Sequence, residues 1–176
     1  MKMCTNCSDL SIAMKQFILV SIISLLTVGF TFANRVNVAP PTGYDVTHTF
    51  TKAEVEDILG GTMKEPKIDS ADLSIIRYYP ENGTPFLEAL IFSAHAHDPA
   101  DYDYGLNLAK KSGEYKQDVE GIGNKAFWKE NWVSGDLIVV KGALQIQVGV
   151  SQAKAPMTKL EAAIKLGRMA LERVGK

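Results

Sequence analysis

Two histidines two positions apart have the types and spacing best suited to chemistry in this sequence. His95-Ala96-His97 ends an apolar run that is typical of a strand. Side chains two apart on a strand leave the same face, and two imidazoles on one face can bind zinc or copper. His48 is a candidate third ligand if the segment around it lies alongside. The sequence therefore carries a metal-site hypothesis for His48, His95 and His97.

The aromatic residues Phe127, Trp128 and Trp132 form the second candidate site, one for contact with a protein or a small ligand. Consecutive strand residues point to opposite faces, so Phe127 and Trp128 are expected on different sides of a sheet. Trp132 lies in the turn-forming run Asn131–Gly135. An exposed tryptophan on a turn would indicate a binding surface. The alternative is that these aromatics cover the edge of a small core.

The sequence contains no pattern that supports catalysis or the binding of a cofactor. The run Gly121–Ala126 imitates G-x-G-x-x-A, but a strand pattern follows it where dinucleotide binding needs a helix. The spacing of Asp98, Asp101 and Asp103 does not match a calcium loop. No G-x-S-x-G nucleophile motif is present. We predict a protein that is not an enzyme and that carries no cofactor.

Composition and charge indicate one ordinary globular domain. The chain has 176 residues, 46% of them hydrophobic, and a formal net charge of −1. A chain of this length suits a single domain. A nearly neutral balance gives no electrostatic reason to expect a nucleic-acid partner.

The N-terminal region has the pattern of a secretory signal peptide. Lys15 precedes the apolar run Phe17–Phe30, and Thr31-Phe32-Ala33 follows it as a possible cleavage site that ends in a small residue. The run is shorter than the roughly 20 apolar residues of a membrane span. We expect cleavage after Ala33 and a soluble protein exported to the periplasm or the cell exterior, without stable membrane insertion. An uncleaved anchor is the alternative.

Residues 1–33 are therefore predicted to be removed, and residues 1–13 are a possible extension upstream of a start at Met14. Cys4 and Cys7, the only cysteines, lie in that extension. A single C-x-x-C cannot complete a tetrahedral zinc site. The mature chain is then expected to be free of disulfides and held together by its core.

The elements that must position these residues are strands in the middle of the chain. Val119–Ser151 predicts three strands, of which Leu144–Val150 alternates apolar and polar residues. Leu137–Val140 is apolar on both faces, so it is expected to lie centrally and to be covered on two sides. Leu73–Tyr79 and Phe86–His97 predict a hairpin around an Asn-Gly turn.

Three helices flank these strands in the sequence. Thr51–Glu54 and Thr158–Glu161 are capping boxes, and Asp98–Pro99 suits the first positions of a middle helix. The last helix has an apolar stripe at Leu160, Ile164, Gly167, Leu171 and Val174.

The resulting fold prediction is α+β. With a possible short strand at Tyr44–Phe50, the order is (β)αββαβββα, an antiparallel sheet of about five to six strands flanked by three helices. Residues 34–43 are interpreted as a linker and residues 44–176 as a single α+β domain.

The run Val119–Trp128, followed by two apolar strands and a C-terminal helix, resembles small exported bacterial proteins of the PsbP-like kind. Those proteins carry a similar glycine-x-glycine turn, then alanine and an aromatic residue, leading into a strand. The resemblance covers roughly residues 50–174 in element order. It implies an antiparallel sheet flanked by helices and a non-catalytic accessory role, and it assigns no site residues. We therefore expect an exported binding or accessory protein that uses an exposed sheet face or the Trp132 turn.

Overall fold

An antiparallel sheet of seven strands with three helices forms the described part of the chain. This computed structural model describes residues 44–69, 72–83 and 87–174. These residues belong to the second of two units into which the chain divides, residues 40–176. The helices are α1 (Lys52–Leu59), α2 (Pro99–Ser112) and α3 (Lys159–Arg173). The strands are β1 (Lys67–Asp69), β2 (Asp72–Tyr78), β3 (Leu90–Ala96), β4 (Tyr115–Asp118), β5 (Lys125–Glu130), β6 (Gly135–Lys141) and β7 (Leu144–Val150).

The strand order across the sheet is β1-β2-β3-β7-β6-β5-β4, and all neighbouring strands are antiparallel. The predicted α+β class, with an antiparallel sheet flanked by three helices, is confirmed. The described sheet has seven strands, whereas the sequence predicted five to six. The two strands that were not predicted are β1 and β4, which lie at the edges of the sheet. Their sequences, KID and YKQD, are too short and too polar to show an apolar pattern of period two.

The segment Tyr44–Phe50 forms turns, and the possible strand there is absent. The amides of Tyr44 and Val46 donate to the Ala94 and Leu73 carbonyls at 3.3 and 3.1 Å, but residues 47–49 bond locally, which competes with strand pairing. The Thr47 amide donates to Asp45 Oδ1 at 2.9 Å, and the Thr49 amide donates to the Val46 carbonyl at 3.0 Å. The loose alternation of apolar residues in this segment instead reflects buried side chains on an irregular backbone.

The predicted central strand and the predicted hairpin are both present. Strands β2 and β3 pair antiparallel, and β6 lies between β5 and β7. Leu137 and Val139 of β6 belong to the main core on one face of the sheet. Ile138 and Val140 belong to a smaller cluster on the other face. Strand β6 is thus covered on both sides, as its continuous apolar sequence predicted.

The helix starts are those that the sequence predicted. Thr51 and Glu54 form a complete capping box at α1, and Thr158 and Glu161 form one at α3. The Asp98 side chain accepts from the Ala100 amide at 2.8 Å at the start of α2. These local bonds satisfy amide groups that have no partner within the helix.

Helix α3 lies over β6 and β7 with a face that only partly matches the predicted stripe, since Gly167 and Val174 of the stripe are buried. The buried side of the helix is made of small residues and one leucine, namely Ala162, Ala163, Leu166, Gly167 and Ala170. Leu160, Ile164 and Leu171 are only half-buried at its flanks. A Cβ at Gly167 would lie 3.0 Å from Ile122 Cδ1. Small residues therefore let the helix approach the sheet closely, and the larger ones pack around the contact.

Helix α2 covers only part of the opposite face of the sheet. Its Tyr102 and Ala109 pack with Phe127, Ile138 and Val140, so it lies over β5 and β6. On the same face of β3, the side chains of Ile91, Ser93 and His95 are only half-buried. We call this less covered part of the α2 side, formed by β2, β3 and β7, the open face.

Candidate functional site

Trp132 stands at the tip of the turn between β5 and β6, and it is 95% exposed. Asn131 Oδ1 accepts from the Val133 amide at 2.8 Å and from the Ser134 amide at 3.0 Å. The Asn131 amide donates to the Ser134 carbonyl at 3.0 Å. An asparagine side chain that bonds its own turn in this way fixes the backbone. The turn therefore holds the indole out in solvent.

Phe127 and Trp128, the other two predicted contact residues, are core residues. They are 1% and 3% exposed and belong to clusters on opposite faces of the sheet, as the strand alternation predicted. The Phe127 ring lies edge-on to Tyr102 with centroids 5.4 Å apart. Trp128 Nε1 donates to Glu130 Oε2 at 3.3 Å. Of the three aromatic residues, Trp132 alone presents its side chain at the surface.

A groove of about 100 Å³ begins beside the turn and runs onto the open face. Val133 and Ser134, which directly follow Trp132, form one wall of the groove. Leu87, which is 36% exposed, and Ile91 form the apolar part of the opposite side. We call Trp132, Val133, Leu87 and Ile91 together the Trp132 surface.

The floor of this groove contains a carboxylate with its charge already compensated. Asp136 Oδ2 lies 3.5 Å from Lys129 Nζ, and Gln147 Nε2 donates to Asp136 Oδ1 at 3.1 Å. A Cβ at Gly149 would lie 2.5 Å from Asp136 Oδ1, so the glycine makes room for the carboxylate. The groove floor is consequently polar, but its charged group has partners.

Sequence reasoning missed Leu87, Ile91 and Val133. Ile91 belongs to the alternating pattern of β3, in which the residues that point away from the main core are Ile91, Ser93 and His95. That pattern indicates a second face, but it does not show which part of the face α2 covers. Leu87 lies before β3 in an irregular segment and has no periodicity that could have identified it.

The three histidines occupy different environments. His95 is half-buried at the end of β3, His97 follows the strand, and His48 is exposed in the turns before α1. His97 Nδ1 lies 3.1 Å from Gln145 Oε1, and the imidazole is edge-on to the Tyr102 ring with centroids 6.0 Å apart. Within residues 44–69, 72–83 and 87–174, no three histidine, cysteine, aspartate or glutamate side chains form a group that could hold a metal ion. The predicted set of His48, His95 and His97 is therefore not assembled there.

The predicted signal peptide, residues 1–33, and the linker, residues 34–43, lie outside the described residues. Cys4 and Cys7 lie there as well. Among the helices that are described, none has the length and apolar character needed to cross a membrane.

The Trp132 surface combines an exposed indole with aliphatic side chains and borders the paired carboxylate of Asp136, a combination suited to binding. Indole and aliphatic groups contribute apolar area, and the fixed turn limits the ordering needed on association.

Comparisons with protein-family models, with curated proteins and with solved structures give no match to this chain.

Proposed function

We propose that this chain is an exported, soluble, non-catalytic binding or accessory protein that recognises a partner protein through the Trp132 surface. The observation that carries this proposal is the nearly complete exposure of Trp132 on a turn fixed by Asn131. The accessory role is also what the PsbP-like resemblance implies, and export is what the signal-peptide pattern predicts.

The magnitude of the apolar effect favours a binding role for the indole. An aromatic side chain buries roughly 150–250 Å² in a contact, which corresponds to about 4–6 kcal/mol at about 25 cal/mol per Å². Part of this gain is offset by the costs of association. Because the turn is already fixed by three hydrogen bonds, little of that cost arises from ordering the Trp132 backbone.

The size of the groove favours a partner protein over a small ligand. Its volume is about 100 Å³, whereas sites for small molecules usually measure roughly 300–1,000 Å³. Such a groove suits one apolar side chain of a partner, seated between Leu87 and Val133, with Trp132 packed beside it. Hot spots of protein interfaces are enriched in tryptophan in this kind of setting.

Site-specific photocrosslinking in the cells that make the protein tests this proposal. A benzophenone amino acid replaces Trp132, and in a matched control it replaces Tyr104, an exposed aromatic residue of α2. We expect a discrete protein adduct from position 132, none of that mass from position 104, and loss of the adduct when Ile91→Asp is added. Equal adducts from both positions, no adduct, or an adduct unaffected by Ile91→Asp would contradict the proposal.

A second candidate function is that of a periplasmic zinc- or copper-binding protein that uses His95 and His97. One observation favours it: His97 Nδ1 lies 3.1 Å from Gln145 Oε1, a contact that orients the imidazole as the outer partner of a metal-bound histidine would. Calorimetric titration of the exported protein with zinc and copper is the test. Stoichiometric binding that is lost in His95→Ala/His97→Ala supports this function, and its absence rejects it.

A further inference from the structure

The outer side of helix α2 carries two large apolar residues that face away from the sheet. Tyr104 is 69% exposed and Leu108 is 52% exposed, whereas Tyr102 and Ala109 are on the buried side of the helix. Among the exposed large apolar residues of the described chain, Tyr104 and Leu108 are the only two that lie on a helix. The outward side of a surface helix is ordinarily polar. This apolar pair therefore calls for a partner that covers it.

Charges of opposite sign lie at the two ends of this apolar pair. Asp101 precedes Tyr104 by three residues, Lys111 follows Leu108 by three residues, and both charged residues are exposed. At about 100° per residue, the four side chains fall within an arc of about 80° on the helix. No ion pair between described residues includes Asp101 or Lys111. We call Asp101, Tyr104, Leu108 and Lys111 together the α2 stripe.

The α2 stripe has a spacing that matches its own reverse. Asp101 and Lys111 lie five residues on either side of position 106, and Tyr104 and Leu108 lie two residues on either side of it. In a contact with two-fold symmetry, residue i of one copy contacts residue j of the other, and the reverse contact forms as well. When two α2 helices lie antiparallel about position 106, Tyr104 of each copy meets Leu108 of the other, and Asp101 meets Lys111. A parallel pair would instead bring like charges together.

We infer that the α2 stripe pairs with the α2 stripe of a second copy of this chain, in an antiparallel contact with two-fold symmetry. The complementary charges and the matched positions of the apolar side chains both select this occupant. An antiparallel pair also places the positive end of each helix dipole near the negative end of the other. The inference goes beyond the proposed function and concerns residues outside the Trp132 surface.

The area of this contact predicts a transient dimer. Helix α2 has 14 residues, so its outer side is about 21 Å long and about 10 Å wide, an area of about 200 Å². Stable interfaces bury about 800 Å² on each partner. We therefore expect a dissociation constant on the order of 0.1 mM, in the range of weak and reversible contacts.

Sedimentation equilibrium of the exported protein at concentrations up to about 1 mM tests the pairing. We expect a monomer–dimer equilibrium that weakens by about 10-fold or more in Leu108→Ser, because apolar contact is lost from both copies. Asp101→Lys should weaken it by about 3-fold or more, because two lysines then face each other, and Asp101→Lys/Lys111→Asp should restore the affinity to within about 2-fold of the parent. Asp103→Lys makes the same charge change on α2 outside the stripe, and as the matched control it should change the affinity by less than about 2-fold. Circular dichroism on heating verifies that each variant remains folded.

Disulfide trapping tests the antiparallel register. With helix axes about 8–10 Å apart and a Cα radius of about 2.3 Å, Cα of residue 104 should lie about 3–5 Å from Cα of residue 108 in the second copy. The two residues 104 are offset by about 6 Å along the axis, which places their Cα atoms about 7–8 Å apart, at or beyond the limit of about 7 Å for a disulfide. A mixture of Tyr104→Cys and Leu108→Cys chains should therefore give mainly the mixed dimer, which intact mass identifies. Lys110→Cys, which lies on α2 outside the stripe, and the parent protein are the controls and should give only background crosslinking.

Four outcomes would overturn the inference: no dimer at about 1 mM, a dimer unaffected by Leu108→Ser, no restoration by the double charge reversal, or mixed disulfides no more abundant than those between identical residues. Failure of this pairing is distinguishable from failure of the proposed function. In the photocrosslinking experiment, the pairing gives an adduct of twice the chain mass from position 104, whereas the proposed partner gives an adduct from position 132.

Discussion

Replacing Gly135 by alanine is expected to destabilise the protein severely, because the glycine lies against the Trp128 ring. A Cβ at position 135 would lie 2.0 Å from Trp128 Cζ2 and 2.3 Å from Cη2. Trp128 is 3% exposed and belongs to the main core, so a shift of the ring would disturb its packing against core neighbours. Overpacking of a core usually costs about 1–3 kcal/mol, and loss of the tryptophan contacts would cost about 3–5 kcal/mol. We expect a loss of about 2–4 kcal/mol for Gly135→Ala.

Urea denaturation of Gly135→Ala, Trp128→Leu and the double variant measures this effect. Because leucine removes the ring atoms that would clash, Gly135→Ala should cost less than about 1 kcal/mol in the Trp128→Leu background. Gly105→Ala is the control, because a Cβ at Gly105 would meet open space. Gly142→Ala is unsuitable, because the φ of 60° at Gly142 would add backbone strain. A loss below about 0.5 kcal/mol for Gly135→Ala, or an equal loss in both backgrounds, would refute the steric reasoning.

Three further outcomes are expected. The hydrogen bonds from Arg173 hold the pKa of Glu54 at about 2, below its ordinary value of 4.5. Because both side chains are about one-third exposed, Glu54→Gln should lower the free energy of unfolding by only about 1 kcal/mol at pH 7. Urea denaturation should show this difference between variant and parent vanish as the pH falls from about 4.5 to 2. Thr158→Ala should lower the free energy of unfolding by about 1 kcal/mol through loss of the α3 cap, with Thr158→Ser as a control that keeps the hydroxyl. Intact-mass measurement of the exported protein should give a chain that begins after Ala33; a mass that retains the apolar run would contradict the signal-peptide prediction.

The features that were predictable from sequence are those fixed by residues close together in the chain. The capping boxes at Thr51 and Thr158 each need only four consecutive residues, and both are present. The central position of β6 follows from a continuous apolar run, since a strand with two apolar faces needs cover on both.

The features that were missed depend on contacts between distant segments. The face of α3 that packs on the sheet depends on how closely Gly167 approaches Ile122. The helical periodicity of apolar residues in the sequence favoured a packing face made of the larger side chains. The concavity between α2 and residues 118–126 joins Tyr102 to a loop that follows β4, and no local pattern links them. The exposure of Trp132 was left open by the sequence, because a turn can also fold a tryptophan back onto the core.

The short strands at the two edges of the described sheet have a consequence for how other chains can approach it. Strand β1 has three residues and β4 has four, and each has a register shift in its pairing. Short, irregular edges that carry lysine are poor templates for a further strand. The fold therefore resists edge-to-edge aggregation, and a partner that adds a strand through backbone bonds would find little to pair with. Recognition on this scaffold then depends on side chains, whose identity can change without altering the sheet.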